Sequence, residues 1–148
     1  MSILYIIIGV IWFIVDYVTK YFIQQHFVPG ESLPIIPNVF HITYILNCGA
    51  AFGILRDQRI FFLTVVVILI VALWVFRKQI KNGGMLPQLG ASLLVSGALG
   101  NALDRLVRGA VVDFFDFRIW PIFNVADIGI CIGVVLLAIY FWRYDSKK

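Results

Sequence analysis

Four stretches of this chain run almost without charge for about twenty residues, the length of mostly apolar helix that crosses a hydrocarbon core about 30 Å thick. They are residues 3–23, 60–76, 85–104 and 122–142. The first is interrupted only by Asp16 and Lys20, and the second is unbroken between Arg59 and Arg77. The third is rich in small residues, which let neighbouring helices approach closely, and the fourth carries a single charge, Asp127. Of the 148 residues, 61% are hydrophobic and 14% charged, where a soluble domain is about half apolar and about a quarter charged. Too few polar side chains exist to cover a water-soluble monomer. The 2 cysteines make no disulfide framework, and a net charge of +4 without a basic tract argues against a nucleic-acid binder. The expected fold is therefore a membrane all-α protein of four transmembrane helices. One domain over residues 1–148 follows from length, at roughly 100–200 residues per domain. The first stretch lacks the basic n-region and small-residue cleavage site of a signal peptide, and is expected to stay in the mature protein.

Four spans put both termini on one side, and lysine and arginine decide which. The count ties at six against six: Arg77, Lys78, Lys81, Arg143, Lys147 and Lys148 on one face; Lys20, Arg56, Arg59, Arg105, Arg108 and Arg118 on the other. Four of the five lysines lie with the termini, and several cations of the opposite face sit beside acids. Both facts favour cytoplasmic termini. Seven of the eight acids, all but Asp145, fall at the outer end. Acids do little to set topology, so their crowding points to chemistry there. The outer connections are more than loops. Residues 39–46, β-branched and aromatic after Pro34 and Pro37, are expected to form a short strand, as are residues 111–117. Together they predict a small β-rich platform on the outer face, since open sheet edges are not tolerated within lipid. The loop from Arg77 to Pro87 reads as a simple turn.

A charge near the bilayer centre costs about 2.5–3.5 kcal/mol even on the mildest scale, so each polar group in a greasy segment needs a reason. Asp16 and Lys20 are spaced i, i+4 with the acid first, the favourable order for a helical ion pair. They either snorkel together to the interface and fix depth, or serve a site. Asn47 opens a run of small residues through Gly53 that is either a tight turn between strand and helix or a place where backbone and substrate approach closely. Gly97, Asn101, Asp104 and Arg105 share one helical face, which could orient acids elsewhere or hold an interhelical hydrogen bond beside a terminal Asp-Arg pair. Asp113 lies in an apolar strand; Asp127 lies where the fourth helix enters the membrane, with Asn124 three residues before it on the same face. Asp116 has the opposite strand parity to Asp113 and is expected to face water. Two carboxyls converging in a low-dielectric site cannot both ionise easily, so one holds a proton. Such a pair suits amide hydrolysis, one member activating water while the other protonates the scissile carbonyl. His26, His41, Cys48 and Cys131 show no metal-ligand spacing. The cysteines are expected to be packing residues, and Ser92 and Ser96 lack a nearby base.

Five segments together resemble the lipoprotein signal peptidases, the type II signal peptidases of bacteria. They are Asp16-Tyr17-Val18-Thr19-Lys20, residues 47–53 (NCGAAFG), residues 97–105 (GALGNALDR), Val111-Val112-Asp113-Phe114 and Phe123-Asn124-Val125-Ala126-Asp127, in the family's order and over essentially the whole chain. The resemblance implies an aspartic peptidase of the bacterial cytoplasmic membrane with Asp113 and Asp127 as the catalytic pair. Asp16, Lys20, Asn47, Gly49, Asn101, Arg105 and Asn124 match positions that support or line the site. It implies a prolipoprotein substrate carrying a diacylglyceryl cysteine, cleaved just before that cysteine, with no metal or organic cofactor. Membrane lipids are the other expected partner, nucleic acid is not, and a monomer is expected. The alternative is a small proton-coupled transporter using Asp16, a frequent role for an intramembrane acid. It would place the functional acid near the midplane and show inverted repeats, and none is visible here.

Overall fold

A computed structural model describes residues 1–49 and 58–145 of the chain. Residues 50–57, with Ala50, Ala51, Phe52, Gly53, Arg56 and Asp57, and residues 146–148, with Lys147 and Lys148, lie outside what is described, as do the side chains of Tyr144 and Asp145. The fold is mostly helical: α1 (Ile3–His26), α2 (Arg59–Val75), a short α3 (Arg77–Asn82), α4 (Met85–Arg108) and α5 (Val125–Asp145). Between them run β1 (Ser32–Ile36), β2 (Phe40–Asn47) and β3 (Val111–Asp116), one antiparallel sheet in the order β1-β2-β3. Ile3–His26 and Val125–Arg143 are each long and apolar enough to cross a membrane, and Arg59–Val75 is apolar but shorter.

Burial is distributed as expected for helices that face lipid. In α1 only Gly9, Asp16, Lys20 and Ile23 are buried, a single stripe, while Ile3, Val10, Ile14 and Phe22 point outward. No residue of α2 is buried. The centre is α4, where small side chains let its neighbours close in and most of the buried positions are Gly, Ala, Ser or Leu. It ends where Gly109 takes the left-handed conformation at φ 79° and donates its N–H to Arg105 O, a cap that suits glycine. Against α4 lies α5, with Gly129 and Gly133 spaced four apart, the small-residue pattern of close membrane helix pairs. A Cβ on Gly133 would come 2.7 Å from both Gly90 O and Leu94 N, so backbone meets backbone there. Gly133→Leu should therefore push α5 off α4, costing at least about 1–3 kcal/mol by overpacking. A thermal unfolding midpoint in detergent equal to that of the unaltered protein would contradict this close contact.

The sheet is fastened to the helices at one end. Ile23 of α1, Tyr44 of β2, Val112 and Phe114 of β3 and Val125 of α5 form one buried cluster. At the other end Ile80, Ala91, Leu94 and Leu137 form a second. There the Ser2 backbone N–H donates to Gln88 Oε1 at 2.6 Å, and Gln88 Nε2 donates to Lys81 O at 3.2 Å, tying the starts of α1 and α4 to α3.

Several expectations need correction. The strand expected at 39–46 occupies Phe40–Asn47 and that at 111–117 occupies Val111–Asp116, but β1 was not anticipated. Pro34 lies inside β1, which among the described residues pairs only with β2 and is irregular between Pro34 and Ile36. An edge is the place where a missing N–H is harmless. The supposed simple turn after Arg77 contains α3. The fourth helix begins at Val125 rather than 122, so Asn124 stands just before it. Asp116 is buried, 3% exposed, because Thr43 Oγ1 and both the backbone N–H and the guanidinium of Arg118 donate to it at 2.8 Å. Burial alone would raise its pKa, but these three donors outweigh it and hold the carboxyl below the usual range.

Candidate active site

Where β3 passes the start of α5, Asn124 holds Asp113 and Asp127 together. Its Nδ2 donates to Asp113 Oδ1 at 2.7 Å. Its Oδ1 accepts the Asp127 N–H at 2.9 Å, and its own N–H donates to Asp127 Oδ2 at 3.2 Å. The last two bonds form a reciprocal cap at the N-terminus of α5, so the three-residue spacing records a cap rather than a shared helical face. Each carboxyl is gripped on its other oxygen as well. Asn47 Nδ2 donates to Asp113 Oδ2 at 2.9 Å, and Asn101 Nδ2 donates to Asp127 Oδ1 at 2.7 Å. Three asparagines from β2, α4 and the α5 cap thus fix both carboxyls by side-chain hydrogen bonds.

Asp113 is 2% exposed, whereas Asp127 is half-buried. Burial, and after it the charge of Asp127, raise the Asp113 carboxyl to a pKa of about 7, against the pull of the Asn47 and Asn124 amides. Asp113 therefore holds its proton up to neutral pH.

Behind the pair runs a buried ionic chain. Lys20 Nζ lies 2.8 Å from Asp16 Oδ2 and 3.1 Å from Asp104 Oδ2, and it donates to Asn101 Oδ1 at 2.9 Å. Asp16 is 1% and Lys20 2% exposed, so the pair turns inward and does not snorkel. Neither touches Asp113 or Asp127 directly; Lys20 acts on Asp127 through Asn101, and Asp16 accepts the Ala126 N–H at 2.8 Å. Asp104, absent from the expected supporting set, also accepts from Arg108 at 2.7 Å and from the Val112 N–H at 3.2 Å. It pairs with Lys20 and Arg108, not with Arg105. Its place on the Gly97-Asn101 face was the available signal. Arg105 instead donates to Gly49 O at 3.1 Å and lies 4.2 Å over the Phe62 ring, while Gly49 N–H donates to Asn47 Oδ1 at 2.9 Å. The Asn47-Gly49 turn is thus both a tight turn and a wall of the site.

In front of the carboxyls opens a cleft of about 820 Å³, within the size of ordinary ligand sites. Asn47, Gly49, Asn101, Arg105, Asp113 and Asp127 make its polar end, and apolar side chains of α2, α4 and α5, with Val111 of β3 and residues 120–123 of the connection to α5, make the rest. Cys131 lines this cleft and is exposed, so it is not the packing residue expected; Cys48 is half-buried, and both thiols are free. Ser92 donates to Tyr5 O and Ser96 to Leu93 O, which leaves both hydroxyls in structural bonds.

Two solved structures similar to this chain are membrane enzymes. One bacterial membrane enzyme determined by the in meso method at 2.3 Å is similar with a TM-score of 0.89 and 40% identity, covering 100% of this chain and 93% of that one. A second, at 1.9 Å, gives 0.83 and 41%, covering 95% and 94%. The family model of signal peptidase (SPase) II matches residues 8–143. A lipoprotein signal peptidase of Pelotomaculum thermopropionicum is 47% identical over 98% of this chain and 94% of its own length, and one of Halothermothrix orenii is 41% identical over 95% and 96%. The chain is a membrane-located peptidase. It belongs to the signal peptidase II family. The transporter alternative finds no support among these matches, and Asp16 sits in a closed ionic chain with Lys20 rather than alone.

Proposed function

We propose that this protein is an aspartic endopeptidase that removes the signal peptide from diacylglyceryl-modified prolipoproteins, cutting just before the lipidated cysteine. The observation that carries the proposal is the pairing of Asp113 and Asp127 through Asn124 at the polar end of an apolar cleft. Asp127, the more exposed member, takes a proton from water as the water oxygen attacks the scissile carbonyl carbon. Asp113 gives its proton to the carbonyl oxygen. The tetrahedral intermediate then collapses: the C–N bond breaks, the new amine leaves with a proton from Asp127, and the hydroxyl proton returns to Asp113. Asn47, Asn101 and Asn124 hold the two carboxyls, Arg105 and Gly49 shape the wall beside them, and Asp16 and Lys20 position Asn101 and the start of α5.

The protein is read as one domain over residues 1–148 that crosses a bacterial cytoplasmic membrane four times, through α1, α2, α4 and α5. Both termini are cytoplasmic and the sheet lies on the outer face. The acyl chains of the substrate remain in the outer leaflet, so the scissile amide must be met at that surface, and Asp113 and Asp127 lie at the sheet end of the helices. A monomer suffices, with membrane lipids and substrate as partners.

The direct test is cleavage of a diacylglyceryl-modified prolipoprotein by the purified protein, with the product's N-terminus read by mass spectrometry. The product should begin at the lipidated cysteine, and equal turnover of the unlipidated precursor would contradict the stated substrate. The pH dependence supplies a second check. The Asp113 pKa is raised to about 7, so the proton it donates is present below that pH and lost above it. On the alkaline side kcat/KM should fall about tenfold per pH unit, a value belonging to the pair rather than to one residue. A profile flat from about pH 6 to 9 would remove the donor role from Asp113.

A further inference from the structure

The end of the molecule opposite the sheet carries a second hollow, of about 400 Å³, lined by Lys78, Gln79, Asn82, Gly83 and Tyr140. It lies between α3 and the later turns of α5, whereas Asp127 of the cleft is in the first turn of that helix. Tyr140 Oη donates to Gln79 O at 3.1 Å and so fixes α5 to α3 as the back of the hollow. That bond uses the tyrosine proton. The donors facing a ligand are the Lys78 ammonium and the side-chain amides of Gln79 and Asn82, all exposed. Lys81 on the same short helix is exposed too, and Arg143 follows Tyr140 by three residues. Among the described residues no carboxylate pairs with Lys78, Lys81 or Arg143.

The level of the hollow is marked by rings. Trp74 is 63% and Trp142 77% exposed, Arg77 lies 4.2 Å over the Trp74 ring, and Phe76 meets Phe141 edge-on with centroids 5.7 Å apart. Exposed tryptophan beside arginine at a helix end is the composition of a membrane–water interface. A basic hollow at that depth, flanked by outward apolar residues such as Val75 and Phe141, has the charge of an anionic headgroup's complement and a surface for its acyl chains.

We propose that this hollow is a binding site for the phosphate headgroup of an anionic phospholipid, with Lys78 as the charge contact and Gln79 and Asn82 as hydrogen-bond donors. It rests on the membrane placement of the helices but not on the peptidase chemistry. Basic pockets between membrane helices bind such headgroups, with roughly fivefold in affinity for each lysine near the surface.

The full-length protein in nanodiscs of phosphatidylcholine with and without phosphatidylglycerol provides the test, with lipid retention read by native mass spectrometry. Phosphatidylglycerol should be retained over phosphatidylcholine, and Lys78→Gln with Lys81→Gln should reduce that preference by about 25-fold, the product of two such factors. Lys147→Gln with Lys148→Gln removes the same charge from the C-terminal tail of the chain and should leave it nearly unchanged. Gly83→Ala is the charge-neutral test: its Cβ would come 2.5 Å from the Tyr140 ring, forcing that ring into the hollow or out of its bond to Gln79. It too should reduce retention. Equal loss from both lysine pairs would show diffuse attraction and overturn the site, as would equal retention of phosphatidylcholine and phosphatidylglycerol by the unaltered protein. Prolipoprotein cleavage measured on the same variants in detergent separates a failure here from a failure of the peptidase assignment.

Discussion

Asp113→Asn is expected to leave a folded protein that cleaves lipidated prolipoprotein on the order of 10³–10⁴-fold more slowly, and Asp127→Asn the same. The two losses have different origins. Asparagine at 113 cannot deliver the proton that the buried carboxyl holds up to about pH 7. Asparagine at 127 cannot accept a proton from water. The fold should survive both changes because volume is kept, although each costs something. Both oxygens of Asp113 accept amide protons, from Asn124 and Asn47, and an asparagine offers an acceptor on one side only. One donor then faces another, at a cost of about 1–3 kcal/mol. Thermal unfolding in detergent measures that cost separately from kcat. The double variant should be hardly slower than either single one, since residues that act as a unit lose their function together. Turnover retained in both single variants would sink the assigned pair, and turnover retained in one would assign its role to a different residue.

Lys20→Met is expected to have the largest effect on stability, about 3–5 kcal/mol, because it leaves the buried Asp16 carboxylate without its cation and takes from Asp104 one of the two it pairs with, Arg108 being the other. Lys20 Nζ lies within 3.1 Å of both Asp16 and Asp104, and all three residues are no more than 2% exposed. An exposed i, i+4 pair would lose only about 0.3–0.5 kcal/mol, so the size of the drop distinguishes a buried chain from a pair at the interface. Asp16→Asn added to Lys20→Met should recover part of the loss, since an amide tolerates burial without a cation better than a carboxylate. A kinetic effect should remain after that recovery. Lys20 also holds Asn101 Oδ1, which leaves Asn101 Nδ2 to grip Asp127, so kcat should stay low while KM changes little. An unfolding midpoint unchanged by Lys20→Met would mean that this chain of charges contributes nothing.

Much of the helical frame was legible because its cause is local. A run of apolar side chains from Arg59 to Arg77 is helical and outward-facing whatever surrounds it, and α2 has no buried residue. The same local logic did not anticipate β1 around Pro34, where the fact that decides is that among the described residues the strand has a neighbour on one side only. It failed at Asp116, where strand parity points to water but the register shift between Ile42 and Ile45, Thr43 and the backward turn at Arg118, φ 66°, enclose the carboxyl. At Asn124 the spacing to Asp127 was visible while its meaning was not, since a cap and a helical face use the same interval.

By itself the sequence determined that this chain belongs in a membrane and that its few acids crowd one end, because apolar length and charge placement act over a turn or two of helix. The resemblance named Asp113 and Asp127, but which groups hold and bury each acid was decided only by the tertiary structure. Lys20 meets Asn101 across 81 residues, and Asp16 meets the Ala126 N–H across 110. A carboxyl's proton depends on what desolvates it and what donates to it, and for Asp113 those groups arrive from β2, the α5 cap and Asp127. No local pattern carries that information, so the chemistry of the pair exists only once the strands and helices have packed.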